Sequence, residues 1–89
     1  MEKEIINFLE KKGAMNKANA LTFPMEYTKA LHFYDEKLGD TMFITKLWCD
    51  AEKGLMATYQ AQNGSMARDM ELNNNPCLSY DEIMLFLGI

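Results

Sequence analysis

The sequence predicts an α+β fold, an antiparallel β-meander of three strands with room for a fourth, packed against N- and C-terminal helices. Three observations predict it. An Asn63-Gly64 dipeptide lies between two runs of alternating polarity, a helical apolar stripe opens the chain, and a capped apolar run closes it. At 89 residues the chain suits one domain. With 48% apolar and 25% charged residues its composition is that of a folded globule rather than a disordered segment.

The first helix is expected over residues 2–12. Ile5, Phe8, Leu9 and Lys12 recur at helical spacing, and Lys11, Lys12 and Gly13 suit a C-terminus. Residues 14–22 read equally as a helical extension or a loop. Residues 24–38 offer a choice. As a helix, Tyr27, Ala30, Leu31, Tyr34 and Leu38 share a face, with Pro24 in the first turn and Gly39 past the end. As a strand, residues 30–34 pair with the 41–49 segment through a turn at 35–40. The count favours the helix slightly.

The meander is assigned to 41–49, 55–62 and 65–72. Asn63-Gly64 predicts a two-residue type I′ turn, because both central positions of that turn need positive φ. Its register sets Gln62 opposite Ser65, Ala61 opposite Met66, Tyr59 opposite Arg68, Ala57 opposite Met70 and Leu55 opposite Leu72. One face then collects nearly every apolar residue, which makes a one-residue slip improbable. Arg68 is the exception, and stacking on Tyr59 would accommodate it. At the C-terminus, Ser79 and Glu82 form a capping box, Leu78 staples onto Ile83, and Gly88 stops the helix after Leu87.

The strand at 41–49 is apolar on both faces. Phe43, Thr45, Leu47 and Cys49 form one set, and Met42, Ile44, Lys46 and Trp48 the other. A three-residue loop with a bulge at Gly54 directs the odd set to the face of Tyr59; a four-residue loop directs the even set there. Burying an unpaired Lys46 costs several kcal/mol on the order of a desolvated charge, far more than burying Thr45. This places Phe43, Leu47 and Cys49 in the core. Met42, Ile44 and Trp48, with Met56 beside them, then form a second face. It is either a second core layer under the 24–38 helix or an exposed interaction patch.

Several classes of function are disfavoured. The net charge is −4, and the single arginine and eight lysines are interleaved with acids, against the clustered cations that bind phosphate backbones. The apolar run at residues 83–87 is far short of the ~20 residues of a transmembrane span, and residues 1–4 lack the start of a signal peptide, so a cytoplasmic location is the expectation. Cys49 and Cys77 read as reduced thiols in that compartment. His32 stands alone, which leaves no histidine pair for a metal and only a remote nucleophile–base partnership with a cysteine. The acids at Asp35, Glu36, Asp40, Asp50 and Glu52 read as turn formers, and Gly-rich phosphate loops are absent. No cofactor, no metal and no catalysis are expected. The expected function is a non-enzymatic protein-interaction module, a small adaptor, regulator or inhibitor. It would act through Met42, Ile44, Trp48 and Met56 on another protein or on a second copy. Behind it stand an acidic nucleic-acid mimic, blocking a basic groove of a nuclease-type partner, and a small enzyme of unnamed substrate.

Overall fold

The first helix ends where Gly13 places its backbone in the left-handed region. In the computed structural model, which describes residues 1–64 and 66–89, α1 spans Glu2–Lys11. Gly13, at φ +76°, donates its N–H to Glu10, and Ala14 donates to Leu9 at 2.8 Å. These two bonds satisfy carbonyls the helix leaves orphaned, in a Schellman arrangement. Beyond α1 come β1 (Leu21–Thr22), α2 (Met25–Thr28), β2 (His32–Asp35), β3 (Asp40–Asp50), β4 (Gly54–Ala61), β5 (Ala67–Glu71) and α3 (Tyr80–Leu87). Short 3-10 turns lie at Lys17–Asn19 and Leu72–Asn74. The architecture is α+β: an antiparallel sheet in the order β1-β3-β4-β5, with the N- and C-terminal helices packed on it.

Residues 24–38 are not one helix. Only α2 is helical there, and β2 pairs with the first half of β3, His32 opposite Phe43 and Asp35 opposite Asp40. The carboxylate of Asp35 accepts from the N–H groups of Lys37 and Leu38, and this Asx turn reverses the chain. A strand wins because β3 has an apolar edge to complete. Of the would-be buried stripe, Tyr27, Ala30, Tyr34 and Leu38 are exposed and Leu31 alone is buried.

The β4–β5 register is as the dipeptide predicts, with Tyr59 opposite Arg68 and Ala57 opposite Met70. The turn itself is different. Neither Asn63 nor Gly64 has a positive φ, so it is not type I′. The carboxylate of Asp40 accepts the Asn63 backbone N–H at 3.0 Å and the Asn63 side-chain amide at 3.1 Å, while Gln62 donates to Thr41. Asn63 thus pairs outward to β3 instead of closing a tight loop to β5. The Gln62–Ser65 pairing lies outside the described residues. Arg68 is exposed and does not stack on Tyr59, whose ring lies 6.2 Å from that of Phe33.

β3 carries a second departure. Cys49 pairs with Leu55 and Asp50 with Gly54, leaving the three-residue loop with Gly54 at φ +81°. That puts Leu47 and Cys49 on the face of Leu55 and Ala57, as the cost of burying Lys46 demands. The register then shifts between Ile44 and Lys46, and Thr45 has no partner of its own on β4. This β-bulge exchanges the faces upstream of it. Ile44 faces Tyr59 and Met42 faces Ala61, so both lie on the helix-covered side, and Phe43 moves to the side of Trp48. Phe43 is buried as expected but on the side of Trp48, and the placement of Met42 and Ile44 on the second face is corrected. The bulge is held by Thr45 itself: its Oγ1 donates to the Thr58 carbonyl at 3.2 Å and its carbonyl accepts from Phe23 at 2.9 Å.

The main core collects Ile5 and Leu9 of α1, Ile83 of α3, Leu31, Leu72 and Leu78, over Ile44, Leu47, Cys49, Leu55 and Ala57 of the sheet. Leu78 and Ile83 both lie in it, consistent with the hydrophobic staple, and Ser79 Oγ accepts from the Glu82 N–H at 3.2 Å. α3 ends like α1, with Gly88 at φ +77° donating to Leu85 and Ile89 to Met84.

Candidate functional site

The four residues expected to form an interaction patch are all buried and fall on two faces. Met42 and Ile44 are fully inaccessible on the helix side, while Trp48 and Met56 are 4% and 6% exposed on the other. The strap of chain between α1 and β1, which includes the 3-10 turn at Lys17–Asn19, packs against β3. Ala14 and Leu21 are both tied to the outer edge of β3, at Cys49 and Leu47. Between them, Lys17 reaches Asp69 of β5, on the opposite edge of the sheet, at 2.8 Å. Lys46, Thr58 and Asp69 share the face of Trp48 and Met56, so this segment lies against β3 on that face and the Lys17 side chain spans β4. Asp69 Oδ1 also accepts from Thr58 Oγ1 at 2.8 Å. Burial alone would raise the Asp69 carboxyl. The hydrogen bonds from Lys17 and Thr58 and the charges of Lys17 and Lys46 outweigh it and hold the carboxyl below its ordinary value.

The remaining candidates have local duties. His32 Nδ1 pairs with the Lys29 carbonyl, and its ring lies 5.9 Å from that of Phe43. Cys49 is six residues along β3 from Phe43, roughly 20 Å away, so imidazole and thiol are not brought together. Burial and the charges of Glu10 and Glu2 push the Cys49 thiol up, away from the thiolate a nucleophile needs. Asp50 accepts the N–H groups of Glu52 and Lys53 at 2.8 and 3.0 Å, and these bonds lower its carboxyl. Among the described residues no group of three or more His, Cys, Asp or Glu is placed to hold a metal. Nor is any helix there long and apolar enough to cross a membrane.

The exposed apolar surface lies elsewhere, at the ends of the helices. Glu2 approaches Tyr80 at the start of both α1 and α3, whereas Phe8 and Lys12 share a groove with Phe86 and Leu87 at their ends. The two helices therefore run parallel and finish together. Their groove, about 340 Å³, is completed by Leu21, Phe23, Pro24 and Tyr27. Phe23 meets Phe86 edge-on with ring centroids 4.9 Å apart, and Lys12 sits 5.8 Å above the Phe8 ring. A second hollow of about 400 Å³ adjoins it, sharing Tyr27 and Phe86 and adding Ala30, Glu82 and Leu85. Leu85 is 83% exposed and Tyr27 63%, the former more than any other large apolar side chain among the described residues. The sequence carries one signal for this surface. Ile83-Met84-Leu85-Phe86-Leu87 is apolar on every face of a helix, and one neighbouring core covers only part of such a helix. Phe8, Phe23 and Tyr27 carry no comparable signal, because a distant part of the chain assembles them. Comparison of the chain with protein-family models, with curated proteins and with solved structures returned no match.

Proposed function

We propose that this chain is a non-enzymatic protein-interaction module whose docking surface is the apolar groove beside α3, and that its occupant is a second copy of the chain. The observation that carries the reading is Leu85. A leucine so exposed, continuous with two aromatic-walled hollows, is the kind of apolar patch that marks an interaction site. Projection and hollow lie side by side on one surface. A two-fold contact needs that arrangement, since each copy then sets its Leu85 in the other's hollow. The charges agree. Glu82 lies at the first turn of α3 and Lys12 at the far end of the groove, so antiparallel docking brings the Lys12 of each copy toward the Glu82 of the other.

Light scattering on the eluting peak of a size-exclusion column tests this. Wild type is expected at twice its 10.3 kDa chain mass at high micromolar concentration. Leu85→Glu, which alters an exposed position and no core contact, is expected at the chain mass with an unchanged circular-dichroism spectrum. A monomeric wild type at those concentrations refutes self-docking.

A further inference from the structure

We propose that Asn63 is a site of spontaneous covalent modification, its side-chain amide converting to a carboxylate under the control of Asp40. Of the seven asparagines, only Asn63 is followed by glycine. Glycine leaves its own backbone nitrogen unshielded by a side chain. Both residues are exposed, and the Gly64 N–H makes a long 3.3 Å bond to Ala61. After losing its proton to solvent, the Gly64 nitrogen attacks Cγ of Asn63. A C–N bond forms, the Cγ–Nδ2 bond breaks, and ammonia leaves with a proton from solvent. Water then opens the five-membered imide at either carbonyl, giving aspartate or isoaspartate, with no oxidant or reductant involved.

The Asp40 contact sets both the rate and the outcome. Its carboxylate holds the Asn63 side-chain amide at 3.1 Å and the Asn63 backbone N–H at 3.0 Å, turning the amide toward β3. Ring closure requires that latch to open. The product replaces the amide donor with a carboxylate at hydrogen-bonding distance from the Asp40 carboxylate. Two like charges there repel, so the latch does not close again. Conversion therefore acts in one direction and releases Asn63 from Asp40, while the Gln62 bond to Thr41 remains. Asp40 and Gly64 also line a hollow of about 340 Å³ with Met42, Tyr59, Met66 and Arg68, so the change alters the wall of that hollow.

Wild-type protein held for several days at mildly alkaline pH is expected to gain about one dalton, mapped by peptide mass spectrometry to residue 63. Asp40→Ala, with Asp40→Asn as the milder variant, is expected to convert about fivefold to tenfold faster, the worth of the two latch bonds. Asn63→Gln keeps the amide but does not close the five-membered ring, and it is expected to show no gain at that position. In a folding comparison, Asn63→Asp is expected to melt below wild type, and adding Asp40→Asn to restore most of the loss. No conversion at residue 63, or equal rates in wild type and both Asp40 variants, overturns the proposal. Failure of Asp40→Asn to rescue Asn63→Asp overturns its one-way character.

Discussion

Removing Asp69 separates the two bonds that hold the strap over Trp48. The Lys17–Asp69 pair is short but open to solvent, its side chains 63% and 33% exposed. Such pairs are worth about 0.2–1 kcal/mol. Thr58 differs, because it is buried and its hydroxyl donates to Asp69. A buried hydroxyl stripped of its acceptor costs about 1–3 kcal/mol. Asp69→Asn keeps an oxygen for Thr58 and loses only the ion pair, so it should destabilise by about 0.5 kcal/mol. Asp69→Ala loses both and should cost about 2 kcal/mol, which lowers the melting temperature of a domain this size by roughly 8–16 °C. Urea unfolding monitored by Trp48 fluorescence measures both, and acrylamide quenching in native buffer reports whether the strap has lifted. Equal losses for the two variants would refute the assignment of most of the energy to Thr58. Unchanged quenching in Asp69→Ala would refute the view that this carboxylate holds the strap.

Thr45→Ala should cost about 1 kcal/mol in urea unfolding, the worth of its hydroxyl bond to Thr58. Deleting Thr45 leaves every remaining side chain of β3 on its present face, so the shortened protein should still fold, with Trp48 emission unchanged; loss of the folded state would contradict the bulge account. Ile83→Ala empties a fully buried site beneath α3 and should cost about 2–5 kcal/mol by thermal or chemical unfolding. Stability should also depend on pH at both ends. The carboxyls of Asp50 and Asp69 are lowered by folding, so their contribution is full above the ordinary carboxyl value of about 4 and is lost as pH falls through their folded values. The Cys49 thiol and Tyr80 hydroxyl are raised, so stability should decline as pH climbs past about 8.5, where the unfolded thiol begins to ionise first. A pH series of melting temperatures checks both arms, and Cys49→Ser should remove part of the alkaline one.

Elements with strong local chemistry are legible in the sequence. Gly13 and Gly88 end their helices where the periodicity stops, and Ser79 begins α3 where its cap spacing says. The β4–β5 register is legible even though the turn type is not. Alternation fixes register by burying one face, whereas the conformation of Asn63 is decided by Asp40, distant in sequence. The bulge at Thr45 defeats an argument from alternation because one extra residue inverts the parity of everything upstream. The cost of burying Lys46 correctly assigns the half of β3 next to the turn and nothing beyond Thr45. Residues 24–38 mislead for a related reason. Their 3.6-residue spacing is real, but the edge of β3 offers His32–Asp35 backbone hydrogen bonds that an isolated helix does not match. The strap over Trp48 rests on a lysine and an aspartate 52 residues apart, a pairing no local pattern announces.

The way β3 is flanked bears on intermolecular strand pairing. An eleven-residue strand, apolar on both faces, would be a template for intermolecular pairing if either edge were bare. One edge is spent on β4. The other is shared by β2 before the bulge and β1 after it, and the Phe23 and Leu31 backbones bond to Thr45 and Ile44 where the two meet. The edges left to solvent are short ones, and β5 carries Arg68, Asp69 and Glu71 along its own. Residues 14–23 therefore act as a guard against aggregation as well as a cover for Trp48. A chain that loses them exposes the most adhesive strand of the fold.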